Sequence, residues 1–156
     1  MTQYLKRLIL TVSLVLAGGA TAEPVIQARD TAVEEANRQL VLTFYDGFFN
    51  RHDTVQAAKV VADDYRQHNP GVPDGKAPLV DYFTGFFKSN PQSRARIMRS
   101  AADGDLVWLQ VHSTNGEDDL GRAVLDIFRV KDGQIVEHWD VIQDVPEKSA
   151  NPNTMF

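Results

Sequence analysis

The chain has 156 residues and carries 16 Lys plus Arg against 21 Asp plus Glu, a formal net charge of −5; this length suggests one domain. The acidic balance argues against nucleic acid and anionic lipid as partners. Cysteine is absent, which excludes disulfides, thiolate nucleophiles and Cys-ligated zinc and leaves stability to the core alone.

Residues 1–22 read as a secretory signal peptide. Lys6 and Arg7 form a short positive start, Leu8 to Ala17 is an apolar run too short to span a bilayer comfortably, and Ala20-Thr21-Ala22 fits an A-x-A cleavage site. A lone N-terminal membrane anchor is the alternative. Cleavage before Glu23 would leave a single domain, 23–156, periplasmic or secreted and free of the membrane. Losing Lys6 and Arg7 lowers the basic residues from 16 to 14 and moves the net charge to −7.

Thr31-Ala-Val-Glu34 has the form of a capping box. Val33, Ala36, Leu40, Phe44 and Phe48 then follow at helical spacing, which predicts a long amphipathic helix to about Asn50. Asp53-Thr-Val-Gln56 is a second box, opening a short helix to about Asp63. Tyr65 to Asn69 is too polar for a core helix and is stopped by Pro70, so it reads as a short strand or extended segment. Gly71 to Gly75 is a loop. Pro78 suits the first turn of a third helix, with Leu79, Phe83, Phe86 and Phe87 as its apolar face. Ser89-Asn90-Pro91 ends it.

From Ser93 the period changes to alternation. Strands are predicted over 94–101, 106–114, 121–130 and 134–144, joined by turns at Asp103-Gly104, Asn115-Gly116 and Lys131-Asp132-Gly133. The expected fold class is α+β: three Phe-rich helices capping a strongly curved antiparallel sheet to make a cone with a cavity inside.

The last strand contains GQIVEHWDV. His138 and Asp140 are two residues apart and share a face amid apolar neighbours. A type I turn with Gly133 as a bulge residue would set Val130 against Gln134, Asp126 opposite His138 and Val124 opposite Asp140. We take that register; a two-residue type I′ turn would instead put Trp139 opposite Asp126. The first clusters Asp126, His138 and Asp140. In the neighbouring strand, Trp108, Gln110 and His112 share one face and Val107, Leu109 and Val111 the other. Gln110 and His112 must look at something wet, charged or ligand-filled. His68, just before a loop, adds another imidazole. The candidate pocket residues are therefore Asp126, His138, Gln110, Trp108 and Tyr45, around Asp140, His112 and His68. Asp126 has a plainer role open to it, pairing with Arg122 or Arg129. His52 suits a helix C-terminus and needs no site.

DIFRVKDGQIVEHWDV at 126–141 and YRQHNPGVPDG at 65–75 resemble the SnoaL-like polyketide cyclase family of the nuclear-transport-factor-2-like superfamily, cystatin-like α+β cones. The terminal NPNTMF at 151–156 is similar to a SnoaL-like branch described as aldol-condensation enzymes. The resemblance implies an apolar pocket and, often, a homodimer through the outer sheet face. It also implies that Asp140 matches the family's acid/base carboxylate, with His112 as the nearest match to an assisting histidine.

The expected chemistry is cofactor-free proton transfer on a small apolar carbonyl compound, by a lyase or isomerase. Asp140 would take a proton α to a carbonyl while His112 or His68 donates to the oxygen. The carbanion would then add to a second carbonyl or be reprotonated elsewhere. A non-catalytic small-ligand binder is the main alternative. A two-His-one-carboxylate site from His138, Asp140 and His112 and a protein-interaction module are further readings; no metal or cofactor is expected.

Overall fold

The computed structural model describes residues 29–156. The expected signal peptide and its cleavage point lie outside the described residues. No helix among the described residues is long and apolar enough to cross a membrane.

Helix α1 spans Thr31–Tyr45. Its cap is Asp30, one residue before the expected Thr31: the Asp30 carboxylate accepts from the backbone of Ala32 and Val33 at 3.2 and 3.1 Å. Glu34 is therefore released from a capping box. It accepts instead from Arg29 Nε and Nη2 at 2.8 and 2.7 Å and from the Gly104 amide at 3.0 Å, tying the helix start to a strand turn. The helix continues as a wider π-helical turn over Asp46–Asn50. The widened turn sends both Phe48 and Phe49 inward, where their rings pack against each other and against Phe83.

Asp53 caps helix α2, Thr54–Ala57, and a 3-10 turn follows over Ala58–Val60. The expected helix to Asp63 stops here because Val61 already belongs to strand β1, Val61–Gln67. Val61 and Tyr65 are buried in the sheet, and burial outweighs local helix propensity. Helix α3 spans Lys76–Ser89, with Pro78 in its first turn as expected. Strands β2 (Arg94–Asp103), β3 (Leu106–Thr114), β4 (Arg122–Lys131) and β5 (Gln134–Asp144) follow.

The sheet runs β1-β5-β4-β3-β2. The last four strands form the expected antiparallel meander, and β1 adds a parallel edge against β5. The sheet is mixed, curved and unclosed. The helices cover one face, where Val41, Phe48, Val61, Val107, Leu109, Val111 and Ile135 are fully buried. On the other face Trp108, Leu125 and Val141 remain exposed. The C-terminal tail meets that face: the Met155 carbonyl accepts from Gln110 at 3.0 Å and the Phe156 ring sits 4.4 Å from His112.

Candidate active site

The β4–β5 hairpin decides which polar side chains meet. Asp132 and Gly133 have φ of 51° and 73°, a two-residue turn of the kind that matches strand twist. It pairs Lys131 with Gln134 and Val130 with Ile135. The register then slips by one residue at Val136, so Arg129 pairs with Glu137, Phe128 with His138 and Asp126 with Asp140. Neither expected register is the real one. The tight turn alone would have turned His138 outward; the bulge restores inward parity, so Ile135 and His138 are both buried. Asp126, His138 and Asp140 share the helix-covered face as expected, but Asp126 faces Asp140 rather than His138.

A chain of hydrogen bonds joins these groups to helix α1 and to the end of β1. Tyr45 Oη donates to Asp126 Oδ2 at 2.7 Å. Asp126 Oδ1 lies 2.9 Å from His138 Nε2, and His138 Nδ1 lies 3.0 Å from Gln67 Oε1. The backbone amide of Asn69 donates to that same Gln67 oxygen at 2.9 Å, and Gln67 Nε2 donates to Tyr65 Oη at 3.2 Å. Asn69 Nδ2 donates to both oxygens of Asp140, at 2.9 and 2.8 Å, and the Gly71 amide donates to Asn69 Oδ1 at 2.8 Å.

This network fixes a proton count. The Asn69 amide can only donate, so Gln67 presents its oxygen and His138 Nδ1 must carry a hydrogen. A further proton then lies between His138 Nε2 and Asp126 Oδ1, on one atom or the other. Burial, with the Asp126 charge beside it, pushes the Tyr45 phenol well above its ordinary range. Tyr65 is raised for the same reasons, burial first and Asp126 second. Both stay protonated, so Tyr45 is a fixed donor to Asp126.

The network forms one wall of a cavity of about 340 Å³. Asp126, His138, Asp140, Gln67 and Asn69 line it on the sheet side. Phe49, Leu79, Phe83, Phe86 and Phe87 line the helix side. It is an apolar chamber with polar groups concentrated on one wall, as small-ligand sites usually are.

Of the eight residues singled out in the sequence, Asp140, Asp126, His138 and Tyr45 come together here. Trp108, Gln110 and His112 do not. Their strand neighbours Val107, Leu109 and Val111 take the helix-covered face, so alternation turns the other three outward. There Gln110 holds the tail, and His112 Nε2 contacts the Leu120 carbonyl at 2.9 Å. His68 also faces away. Its Nε2 meets Glu137 Oε1 at 2.8 Å and its ring stacks on Trp139 at 4.6 Å. Asn69, the next residue, reaches Asp140 instead. Gln67, Asn69 and Tyr65 are site residues absent from the expected set. Their available signal was parity: 65, 67 and 69 alternate onto one side of an extended segment.

A site built from His138, Asp140 and His112 is ruled out by the outward turn of His112. Asp126, His138 and Asp140 instead offer ligand atoms within 4.8 Å of one another. The carboxylate oxygens keep a second lone pair beside their hydrogen bonds, but both His138 nitrogens are engaged, so a divalent ion would have to displace Asp126 or Gln67 from the imidazole.

A helix-covered curved sheet enclosing an apolar chamber, with carboxylates and an imidazole on its wall, defines a nuclear-transport-factor-2-like α+β protein. The model of the family described as SnoaL-like domain matches residues 41–138, and the chain belongs to this family. Solved structures share the fold. A protein of Kribbella flavida provisionally assigned as a ketosteroid isomerase aligns with a TM-score of 0.61 at 20% identity, covering 76% of this chain and 85% of that one. A SnoaL-like protein of unknown function from Burkholderia thailandensis gives 0.61 at 17%, covering 70% and 96%. An LEH-like epoxide hydrolase of M. tuberculosis gives 0.59 at 19%, covering 71% and 85%. Comparison with curated proteins finds no match.

Proposed function

We propose that the protein is a cofactor-independent acid/base enzyme acting on a small apolar carbonyl compound, with Asp140 as the base. The observation that carries this reading is the placement of Asp140. Its carboxylate lines the apolar cavity, is oriented at both oxygens by Asn69, and faces an Asp126–His138 pair that holds a proton. Asp140 would remove a proton α to the substrate carbonyl. The proton between His138 and Asp126 would be offered to the oxygen as negative charge develops there. Tyr45 holds Asp126 from behind and Gln67 holds the imidazole, so the one rearrangement the step needs is the opening of the Asp126–His138 contact towards the substrate oxygen. The resulting carbanion would add to a second carbonyl or be reprotonated at another carbon. Expectation had put His112 or His68 in the donor's place; His138 takes it in this proposal.

The test needs no knowledge of the natural substrate. Purified protein is incubated in deuterated buffer with a panel of alkyl and aryl ketones and β-keto esters, and loss of the α-proton signal is followed by NMR. Asp140→Asn should lower exchange by roughly 10²–10⁴-fold. Exchange that is no faster with wild type than in buffer, or unchanged by Asp140→Asn, would refute the assignment. A non-catalytic ligand carrier is the second reading, favoured by one detail: both imidazole nitrogens of His138 are already engaged within the protein, by Asp126 and Gln67. Ligand retained through purification with no conversion over hours would decide for it. We further propose export by residues 1–22 and a homodimer through the exposed outer sheet face.

A further inference from the structure

Arg122 opens β4 and lies on its cavity-facing side, in step with Val124, Asp126 and Phe128. It is half-buried, lines the chamber, and its guanidinium makes no hydrogen bond or ion pair with any described residue. Its cross-strand neighbour on β3 is Ser113, which also lines the chamber. The Ser113 hydroxyl likewise makes no hydrogen bond among the described residues. Two carboxylates are near enough to ask about. Asp144 stands opposite Arg122 in the β5 register, yet no ion pair forms. Asp119, in the preceding loop, is close enough for the Arg122 charge to help hold its carboxyl low, but the two form no ion pair, and the Asp119 oxygens accept from the amides of Asn115 and Gly121 at 2.7 and 2.8 Å.

The chamber is thus polar at two places. Asp126, Asp140 and His138 stand at one, and Arg122 with Ser113 at the other. Val124, Val111 and Ile142 form the row between them on the same sheet face. Four residues of strand separate Asp126 from Arg122, roughly 13 Å along the backbone. A half-buried guanidinium with no hydrogen bond to a described residue keeps its donors free, and its planar fork matches a carboxylate with two parallel hydrogen bonds. We infer that the ligand of this chamber is an amphiphilic carboxylate: its acid group lies on Arg122 and Ser113, its apolar body on the valines and phenylalanines, and its carbonyl at Asp140. This rests on the cavity being the ligand site, as proposed above, and adds the class of molecule it takes.

Calorimetric titration with octanoate and with methyl octanoate tests it, since the two differ mainly in the charge offered to Arg122. Wild type should bind the acid about tenfold or more tighter than the ester. Arg122→Gln should abolish that preference by weakening the acid alone, and Arg122→Lys should restore part of it. Equal affinities in wild type, an equal loss of both probes in Arg122→Gln, or binding of neither probe would overturn the inference. Asp140→Asn should keep the acid preference. If that variant leaves proton exchange untouched while the preference persists, the catalytic reading falls and this one stands. If the preference is missing while Asp140→Asn is dead in exchange, this inference falls and the catalytic reading stands.

Discussion

Asn69 gives a single amide nitrogen to both oxygens of Asp140 and is itself held by the Gly71 amide through its own oxygen. A carboxylate pinned this way cannot rotate, which matters for a base that must meet a C–H bond at a set angle. Asn69→Ala should therefore lower the proton-exchange kcat by roughly 10–100-fold with KM little changed, and its thermal midpoint should stay close to wild type. A fall in KM-dependent binding alone, or no kinetic change, would show that Asn69 does not position Asp140. At this scale the sequence is half readable. His138 and Asp140 announce themselves as titratable groups on an apolar strand, and Asp126 joins them through hairpin geometry. Asn69 and Gln67 carry no charge, so nothing draws the eye to them. His68 draws attention for its chemistry, although it sits one position out of phase with the site. Alternation in the strand with His112 correctly tells which residues share a face. It does not tell which face meets the pocket, and a stripe of polar side chains on a sheet is more simply its solvent side.

Among the elements, the start of α1 and the β2–β3 turn are joined through Glu34. Its carboxyl is held below the usual glutamate range, first by hydrogen bonds from Arg29 and next by the Gly104 amide. A depressed carboxyl stabilises the fold at pH above its unfolded value, and this contribution disappears as pH falls through the folded one. Glu34→Gln should therefore cost stability at neutral pH and cost progressively less as the pH drops below about 4.3. Urea midpoints of the two proteins across that range would converge; parallel curves would show that the Glu34 contact contributes nothing. Most elements can be read ahead from periodicity: 106–114 and 134–144 match the observed strands end for end. The misses have local causes. Asp30 outcompetes Thr31 as cap, and the strand over 61–67 is foreseen only from Tyr65 onward, its first residues being read as the end of a helix because their pairing partner lies at the other end of the chain. The slip at Val136 leaves no mark in composition, since Ile135 and Val136 are interchangeable to a pattern of apolar and polar letters.

For the whole molecule, the helices cover one face of the sheet and leave Val141 69% exposed, Leu125 41% and Trp108 36% on the other. Large apolar side chains gathered on one sheet face are the surface a second copy would bury. Light scattering should find wild type dimeric, and Val141→Glu should shift it towards monomer without loss of secondary structure. A monomeric wild type at micromolar concentration would remove the proposal. The α+β class is legible from three helices followed by alternating strands. The parallel edge is not, because no local pattern states which distant strand a short polar segment will join.

That edge has a consequence for synthesis. Asn69 and Asp140 stand 71 positions apart, and among the described residues β1 pairs with β5 alone. A ribosome releasing this chain has made the first half of the chamber long before the second exists. Until β5 docks, Asp126 on β4 has no imidazole beside it and Asn69 has no carboxylate to clamp. Closing so long a loop is slow relative to helix formation. The chamber and its chemistry therefore both wait on the same pairing of β1 with β5, and a chain that stops short of β5 holds neither in full.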